Sequence, residues 1–388
     1  MAVFSRTWLL KLLDAGPGYV LCKTMGRWRH HTGATELSEA PAPESIERIL
    51  VIRPGGMGDM LMLLPVIRSI RDACPNAAVD VICEKRNEAV LRLAGLDVTT
   101  LLYDIHPLRT LAAIRRVRYS LVLDTEQFHN FSAIIACLSG APVRIGFKVN
   151  PARLHLYTHL VDYDMYGRET TQFYRLLTSL NIETEPQAVT GFLRGPTAEG
   201  APPLPANFPS RGDRIVAISP GSSNRYKHWN PACFARVIQA IDDKDITFLL
   251  VGGWTEANQA QAIMDRSLSA TVHDYTGKLD LEQTAAVLSR AMIFIGCDSG
   301  VGHLATALGI PTLILFGPSD PRKWSHPGPR HAVVRNDLPC APCASFGYYK
   351  LCRDIPCMQT ITAESVVARV KELLHDVDKK EPAAAPGA

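Results

Sequence analysis

From Arg48 onward the sequence sets short, β-branched apolar runs between stretches of helical periodicity, and it does so twice. In the first half the runs are RILVIR, AVDVIC, TTLLY and YSLVLD; in the second they are RIVAIS, ITFLLVGG, MIFIG and TLILFG. None alternates apolar with polar residues, so each strand expects apolar cover on both faces. That is the mark of a parallel sheet wound with helices on either side. Between the halves, residues 183–212 concentrate Pro and Gly without apolar period and read as an interdomain connection. The expected fold is therefore α/β, two doubly wound, Rossmann-like domains facing across a cleft. Their predicted extents are 46–182 and 213–378, the second closed by the helical pattern TAESVVARVKELLHDV. The tail 379–388 should be disordered.

In such sheets ligands bind beyond the carboxyl ends of the strands, so the loops after strands carry the chemistry. The first is in ILVIRPGGMGDMLMLLP, residues 49–65. Its glycines suggest a phosphate loop, yet the spacing fits neither the dinucleotide nor the Walker pattern. Asp59 lies where the next helix begins and has two readings, a general base and a carboxylate complementing the helix dipole. In the second half, ISPGSSNRYKHWN offers the hydroxyls of Ser222 and Ser223 and the ammonium of Lys227, a set suited to an anion. The block IFIGCDSGVGHLATALGIPTLILFGPSD follows. There Gly300 and Gly302 let backbone N–H groups approach a ligand at a helix start, where negative charge is favoured. Phosphate would repel Asp298, so that carboxylate is better placed on hydroxyls. Together these groups describe a nucleotide-sugar site. The plainer alternative makes Asp298 or Ser299 an N-cap and His303 a packed histidine.

The net charge of +3 is small and gives no reason to expect nucleic acid. Its distribution is uneven. Residues 1–33 hold Arg6, Lys11, Lys23, Arg27 and Arg29 against Asp14 alone, a local +4, so the rest of the chain sums to −1. On a helical wheel Phe4, Trp8, Leu9, Leu12 and Leu13 share one side of this segment. It is too short and interrupted to span a bilayer, which takes about 20 apolar residues. Lys11 and Asp14 also spoil it as a signal peptide. Two readings stay open: a basic amphipathic helix on an anionic membrane surface, and a helix packed on the protein's own body. Residues 1–45 comprise this segment and a flexible linker at 34–45.

Ten scattered cysteines without an export signal imply reduced thiols in a cytoplasm. Among the last four, Cys340 and Cys343 have metal-ligand spacing, while Cys352 and Cys357 are spaced more loosely. They form either a structural zinc set or a compact loop of thiols. Asp162-x-Asp164 does not follow an expected strand, so no metal cofactor is expected. Arg53, beside the glycine loop, and Arg144 and Lys148 in RIGFK are candidates for binding an acidic acceptor, or are simply solvated cations.

RPGGMGDMLMLLP, PGSSNRYKHW, GCDSGVGHLATALGIPTLILFGPSDP and LPCAPC, in this order and spacing, resemble glycosyltransferase family 9. These are the ADP-heptose:lipopolysaccharide heptosyltransferases. The likeness runs from Arg48 to Leu374. It implies a GT-B fold with the donor held mainly by the C-terminal domain, inversion at the anomeric centre, and no metal. Carried onto this sequence, the resemblance makes Asp59 the base that deprotonates the acceptor hydroxyl. It makes Ser222, Ser223 and Lys227 contacts of the donor diphosphate and sugar, although many members carry threonine at the two serine positions. Glu256 becomes the acid on the nucleotide ribose and Leu279 the apolar residue against adenine. Asp298 falls on sugar hydroxyls, Ser299 and Gly300 on phosphate, and His303 close by.

The function so implied is transfer of heptose from ADP-heptose to a lipid-anchored lipopolysaccharide inner core. It would need no cofactor and take place in the cytoplasm, on the inner face of the inner membrane. One alternative is a transferase for another nucleotide-sugar; another is a GT-B epimerase or hydrolase working without an acceptor. A dehydrogenase is disfavoured, because Gly-Gly-x-Gly-Asp stands where Gly-x-Gly-x-x-Gly is required.

Overall fold

The apolar runs of each half pair side by side in parallel, because their side chains are apolar on both faces and helices cover both. A computed structural model describes residues 11–31, 42–182, 184–195, 202–209, 214–241, 245–268, 270–326 and 328–380. The chain falls into two compact units, Met1–Gln187 and Ala188–Ala388.

In the first unit, helix α1 (Tyr19–His31) precedes β1 (Arg48–Ile52), α2 (Met57–Ala73), β2 (Ala78–Cys83) and α3 (Lys85–Ala94). Then come β3 (Thr99–Leu102), α4 (Pro107–Arg116), β4 (Leu121–Asp124), α5 (Asn130–Leu138), β5 (Val143–Phe147), β6 (His159–Val161) and α6 (Glu169–Thr178). The six strands are ordered β3-β2-β1-β4-β5-β6, with Ile49 level with Val79 on one side and Leu121 on the other.

The second unit contains β7 (Arg214–Ser219), α7 (Pro231–Ile241), β8 (Ile246–Leu250), α8 (Ala257–Met264), β9 (Thr271–Asp274) and α9 (Leu281–Leu288). It continues with β10 (Ile293–Cys297), α10 (Gly300–Ala307), β11 (Thr312–Leu315), α11 (Pro321–Trp324), β12 (His331–Val334), α12 (Pro356–Gln359) and α13 (Ala363–Lys380). Its sheet order is β12-β11-β10-β7-β8-β9. Strand order reverses between β1 and β4 in one sheet and between β7 and β10 in the other. Loops diverge at such a switch point and leave a crevice for a ligand. Trp229 anchors the second core: it is fully buried against Phe234, and its indole N–H donates to Ile361 O at 3.0 Å, tying the start of α7 to the approach of α13.

The doubly wound architecture is as expected, with several local corrections. Strands β6, β9 and β12 and helix α6 have no counterpart among the predicted elements. The three strands are outer strands of three or four residues, and a histidine (His159, His273, His331) interrupts the apolar run in each. Because β6 exists, Asp162-x-Asp164 does follow a strand. Asp162 is nevertheless solvent-exposed, and Asp164 accepts from Tyr166 N at 2.9 Å within its own turn. Part of the predicted connection is packed rather than loose. Val189 and Leu193 are buried, and Gly191 N and Leu193 N donate to Thr306 O and Ala307 O at the end of α10.

Phe4, Trp8 and Leu9, most of the predicted apolar wheel, lie outside the described residues, as do 34–41 of the linker and the tail 381–388. Within them, Asp14–Gly18 forms a π-helical turn leading into α1. Among the described residues no helix is long and apolar enough to cross a membrane.

Candidate functional site

The glycine loop after β1 holds the carboxylate of Asp59. Gly55 has φ +123°, open to glycine and strained for any other residue. Gly56 is the N-cap of α2, and its N–H donates to Asp59 Oδ2 at 3.2 Å. A Cβ on Gly56 would stand 3.0 Å from that oxygen, so a side chain there would press on the carboxylate. Arg53 Nη2 donates to the other oxygen, Oδ1, at 2.8 Å. Asp59 thus occupies the helix start that a phosphate would need.

Arg53 is itself fixed. Its side chain is 3% exposed, Nη1 donates to Thr125 O at 2.7 Å, and the guanidinium lies 5.3 Å from the Phe173 ring centroid. Burial works against its charge, but Asp59, Glu126 and Glu169 outweigh burial and hold its pKa above the ordinary value. Glu126 Oε2 is 3.9 Å from Nη2. Glu169 in turn accepts from Tyr163 Oη at 2.6 Å and from the amide of Gln127. Arg53 is therefore a buried partner of Asp59, not the exposed acceptor contact expected.

Arg144 departs from expectation in the same way. It is buried, with Nε donating to Leu156 O at 2.8 Å and Nη1 to Ala141 O, so its head group holds the fold together. Lys148, 4.0 Å from Asp162 and largely exposed, still faces solvent.

In the second unit the residues after β7 and β10 meet. Lys227 Nζ donates to Asp298 Oδ2 at 2.7 Å, and His303 Nε2 lies 3.6 Å from Asp298 Oδ1. Burial opposes the charge on Asp298, yet Lys227 and His303 outweigh it and hold the carboxyl far below the usual range. Burial likewise opposes the charge on Lys227, and Asp298 outweighs it, with the result that the ammonium is held above its ordinary value. The pair is ionised across the physiological range. Behind it, His303 Nδ1 is 3.2 Å from His326 Nε2, and a cavity of about 20 Å³ is lined by Asp298, His303, Trp324, His326 and His331. That volume suits one water.

The remaining candidates divide. Ser299 caps α10, its Oγ accepting from Gly302 N at 3.3 Å, with Gly300 as the first helical residue. Ser222 is buried and bonds Asn224 N and O within its own loop, while Ser223 is exposed. Glu256 is buried and accepts from Gly253 N and, at 2.8 Å, from Thr255 Oγ1. It lies against the Ser222 loop, since a Cβ on Gly221 would reach its Cγ at 3.0 Å. Leu279 is half-buried at the end of a turn whose Gly277 sits on the backbone of Trp254, where a Cβ would come within 2.8 Å of Trp254 Cα.

The sequence reading missed Trp254, whose side chain is 80% exposed beside Glu256, and also Glu126, Glu169, His326 and Trp324. A tryptophan directly after a strand and two glycines was the available signal for the first. The others act through pairing that one sequence does not display.

Among the described residues no group of three or more His, Cys, Asp or Glu side chains is arranged to hold a metal ion. All ten cysteines are free thiols. Of the four late cysteines, Cys340 is exposed and Cys357 is buried, and burial raises the Cys357 thiol, with Cys343, Cys340 and Cys352 adding to the shift.

The profile of glycosyltransferase family 9 (heptosyltransferase) matches residues 108–349. Lipopolysaccharide heptosyltransferase 3 of Escherichia coli is 25% identical over 291 residues, which span 69% of this chain and 84% of that protein. The crystal structure of the glycosyl transferase family 9 protein from Veillonella parvula DSM 2008 superposes with a TM-score of 0.68 at 17% identity, covering 87% of this chain and 100% of that one. Escherichia coli ADP-heptose lps heptosyltransferase II superposes with a TM-score of 0.64 at 19% identity, covering 85% and 99%. At these identities the superpositions establish the fold.

Proposed function

This chain belongs to glycosyltransferase family 9, and from that premise we propose that it transfers heptose from ADP-heptose to a lipid-anchored lipopolysaccharide inner core. The observation that carries the reading is the ionised Lys227–Asp298 pair, with His303, at the N-terminus of α10. A departing diphosphate needs positive groups preorganised where its charge develops. Lys227 and the N–H groups opening α10 supply them, and Asp298 keeps Lys227 in place while accepting from hydroxyls of the donor sugar. Glu256 and Leu279 take the ribose and the base, and Ser223 offers the exposed hydroxyl of its loop.

The first unit serves the acceptor. Asp59 accepts the proton of the attacking hydroxyl as the new glycosidic bond forms and the bond to diphosphate breaks. Direct displacement forms no covalent intermediate, needs one carboxylate and inverts the anomeric centre. No step in this scheme requires a metal. Lys148 is the remaining candidate for acidic groups on the acceptor. A lipid-anchored acceptor sets the place of work at the cytoplasmic face of the inner membrane.

A donor panel assayed by nucleoside diphosphate release tests this. ADP release is expected only when ADP-heptose and a defined inner-core acceptor are both present, and at the same rate in EDTA. Release or conversion of the donor without acceptor would instead mean a hydrolase or epimerase. Preference for a different nucleotide-sugar would reassign the donor.

A further inference from the structure

The N-terminal helical segment has one side seated in the first unit and an apolar side turned to solvent. Leu12, Leu13, Val20 and Leu21 are 48%, 41%, 58% and 46% exposed. Its inner side is firmly held. Asp14 is buried and accepts from Asn130 N at 3.0 Å and Phe131 N at 2.7 Å, so it satisfies the free N–H groups that open α5. His129 Nδ1 lies 3.3 Å from the same carboxylate. Gly18 packs on Asn130, and the fully buried Cys22 directs its thiol to Asn130 O at 3.5 Å. This segment is mounted on the fold, and its exposed leucines and valine are held outward by that mounting.

Charge identifies what such a face fits. Between Lys11 and His31 the sole carboxylate is the buried Asp14, whereas Lys11, Lys23, Arg27 and Arg29 are basic. Lys23 is exposed beside the apolar side, and the sequence of this stretch offers no acid other than the buried Asp14; an apolar side on a segment of net positive charge complements an anionic lipid surface. We infer that residues 11–31 dock the enzyme on anionic phospholipid through Leu12, Leu13, Val20 and Leu21.

The mounting links docking to the chemistry. Helix α5 follows β4 at the strand end that carries Thr125 and Glu126, the neighbours of Arg53. Docking therefore holds the Asp59 edge of the first sheet at the surface where a lipid-anchored acceptor lies. That consequence rests on the proposed transferase activity; lipid binding itself does not.

The test is sedimentation of the full chain with phosphatidylcholine vesicles, with and without phosphatidylglycerol, comparing wild type with the Leu12→Glu/Val20→Glu double variant. Wild type should pellet with the anionic vesicles, and at least tenfold more weakly with neutral ones. The double variant should bind the anionic vesicles at least tenfold more weakly while keeping its circular dichroism and its ADP release with a soluble acceptor. Wild type that stays in solution, or a variant that pellets equally, overturns the inference. So does self-association of wild type that the variant abolishes, with neither binding vesicles, which would make the face a contact between copies. Absence of ADP release in both proteins alongside the expected lipid result would sink the transferase reading alone.

Discussion

At the residue scale the informative object is Asp59, with each oxygen held by a different part of the same loop, Gly56 N–H and Arg53. If it is the base, Asp59→Asn should lower kcat by about 10²–10⁴-fold, the usual worth of general-base catalysis. The affinity for ADP-heptose, measured by calorimetry, should stay nearly unchanged. Equal loss of donor affinity would make Asp59 a donor or structural residue. Trp254 permits a complementary test. Its exposed indole stands beside Glu256 and the Leu279 turn, and stacking of a base on an aromatic ring is worth about 1–3 kcal/mol. Trp254→Ala should therefore weaken ADP binding by about tenfold or more with kcat little changed, and an unaltered ADP titration would remove Trp254 from the site. Residue types at loop positions were legible in the sequence. Their pairing was not: Arg53 and Arg144 looked like surface cations, and only the fold shows one bonded to Asp59 and the other to backbone carbonyls.

At the element scale, strands with an unbroken run were legible, even the four-residue outer strand β3, whereas the outer strands β6, β9 and β12, each carrying a histidine, were not. β12 illustrates why, since its residues His331–Val334 include a histidine that no strand pattern would select. That histidine carries a pH effect. Burial, reinforced by Arg330, lowers the His331 pKa to about 4, while Nδ1 lies 2.9 Å from Thr312 Oγ1. A base whose pKa is depressed by folding is protonated first in the unfolded chain, starting near pH 6.5. Its contribution is then complete above that pH and lost as pH falls toward 4. With partial solvent screening the loss should come to about 2 kcal/mol. Urea unfolding at pH 7 and pH 4.5 should show a smaller pH-dependent loss in His331→Asn than in wild type. Equal losses would place the acid sensitivity elsewhere.

At the scale of the whole molecule, the division into two α/β units was readable because the rhythm of apolar runs stops and restarts. Their division of labour is the larger question, and the glycine loop poses it most sharply. A glycine-rich turn entering a helix ordinarily cradles phosphate, yet here the helix start is filled by Asp59. The donor should consequently engage the loops after β7 and β10, leaving Pro54–Asp59 to the acceptor. Hydrogen exchange of the intact chain with saturating ADP resolves the two possibilities. Bound nucleotide stabilises the state it binds by about 2.7 kcal/mol at one hundred times Kd, enough to slow local opening roughly a hundredfold. Protection should appear in residues 220–230 and 296–304 and be absent from 53–59. Protection of 53–59 by ADP alone would mean that the first unit holds the nucleotide. Asp59 would then have to leave the helix start to admit phosphate, and it could not be the acceptor's base.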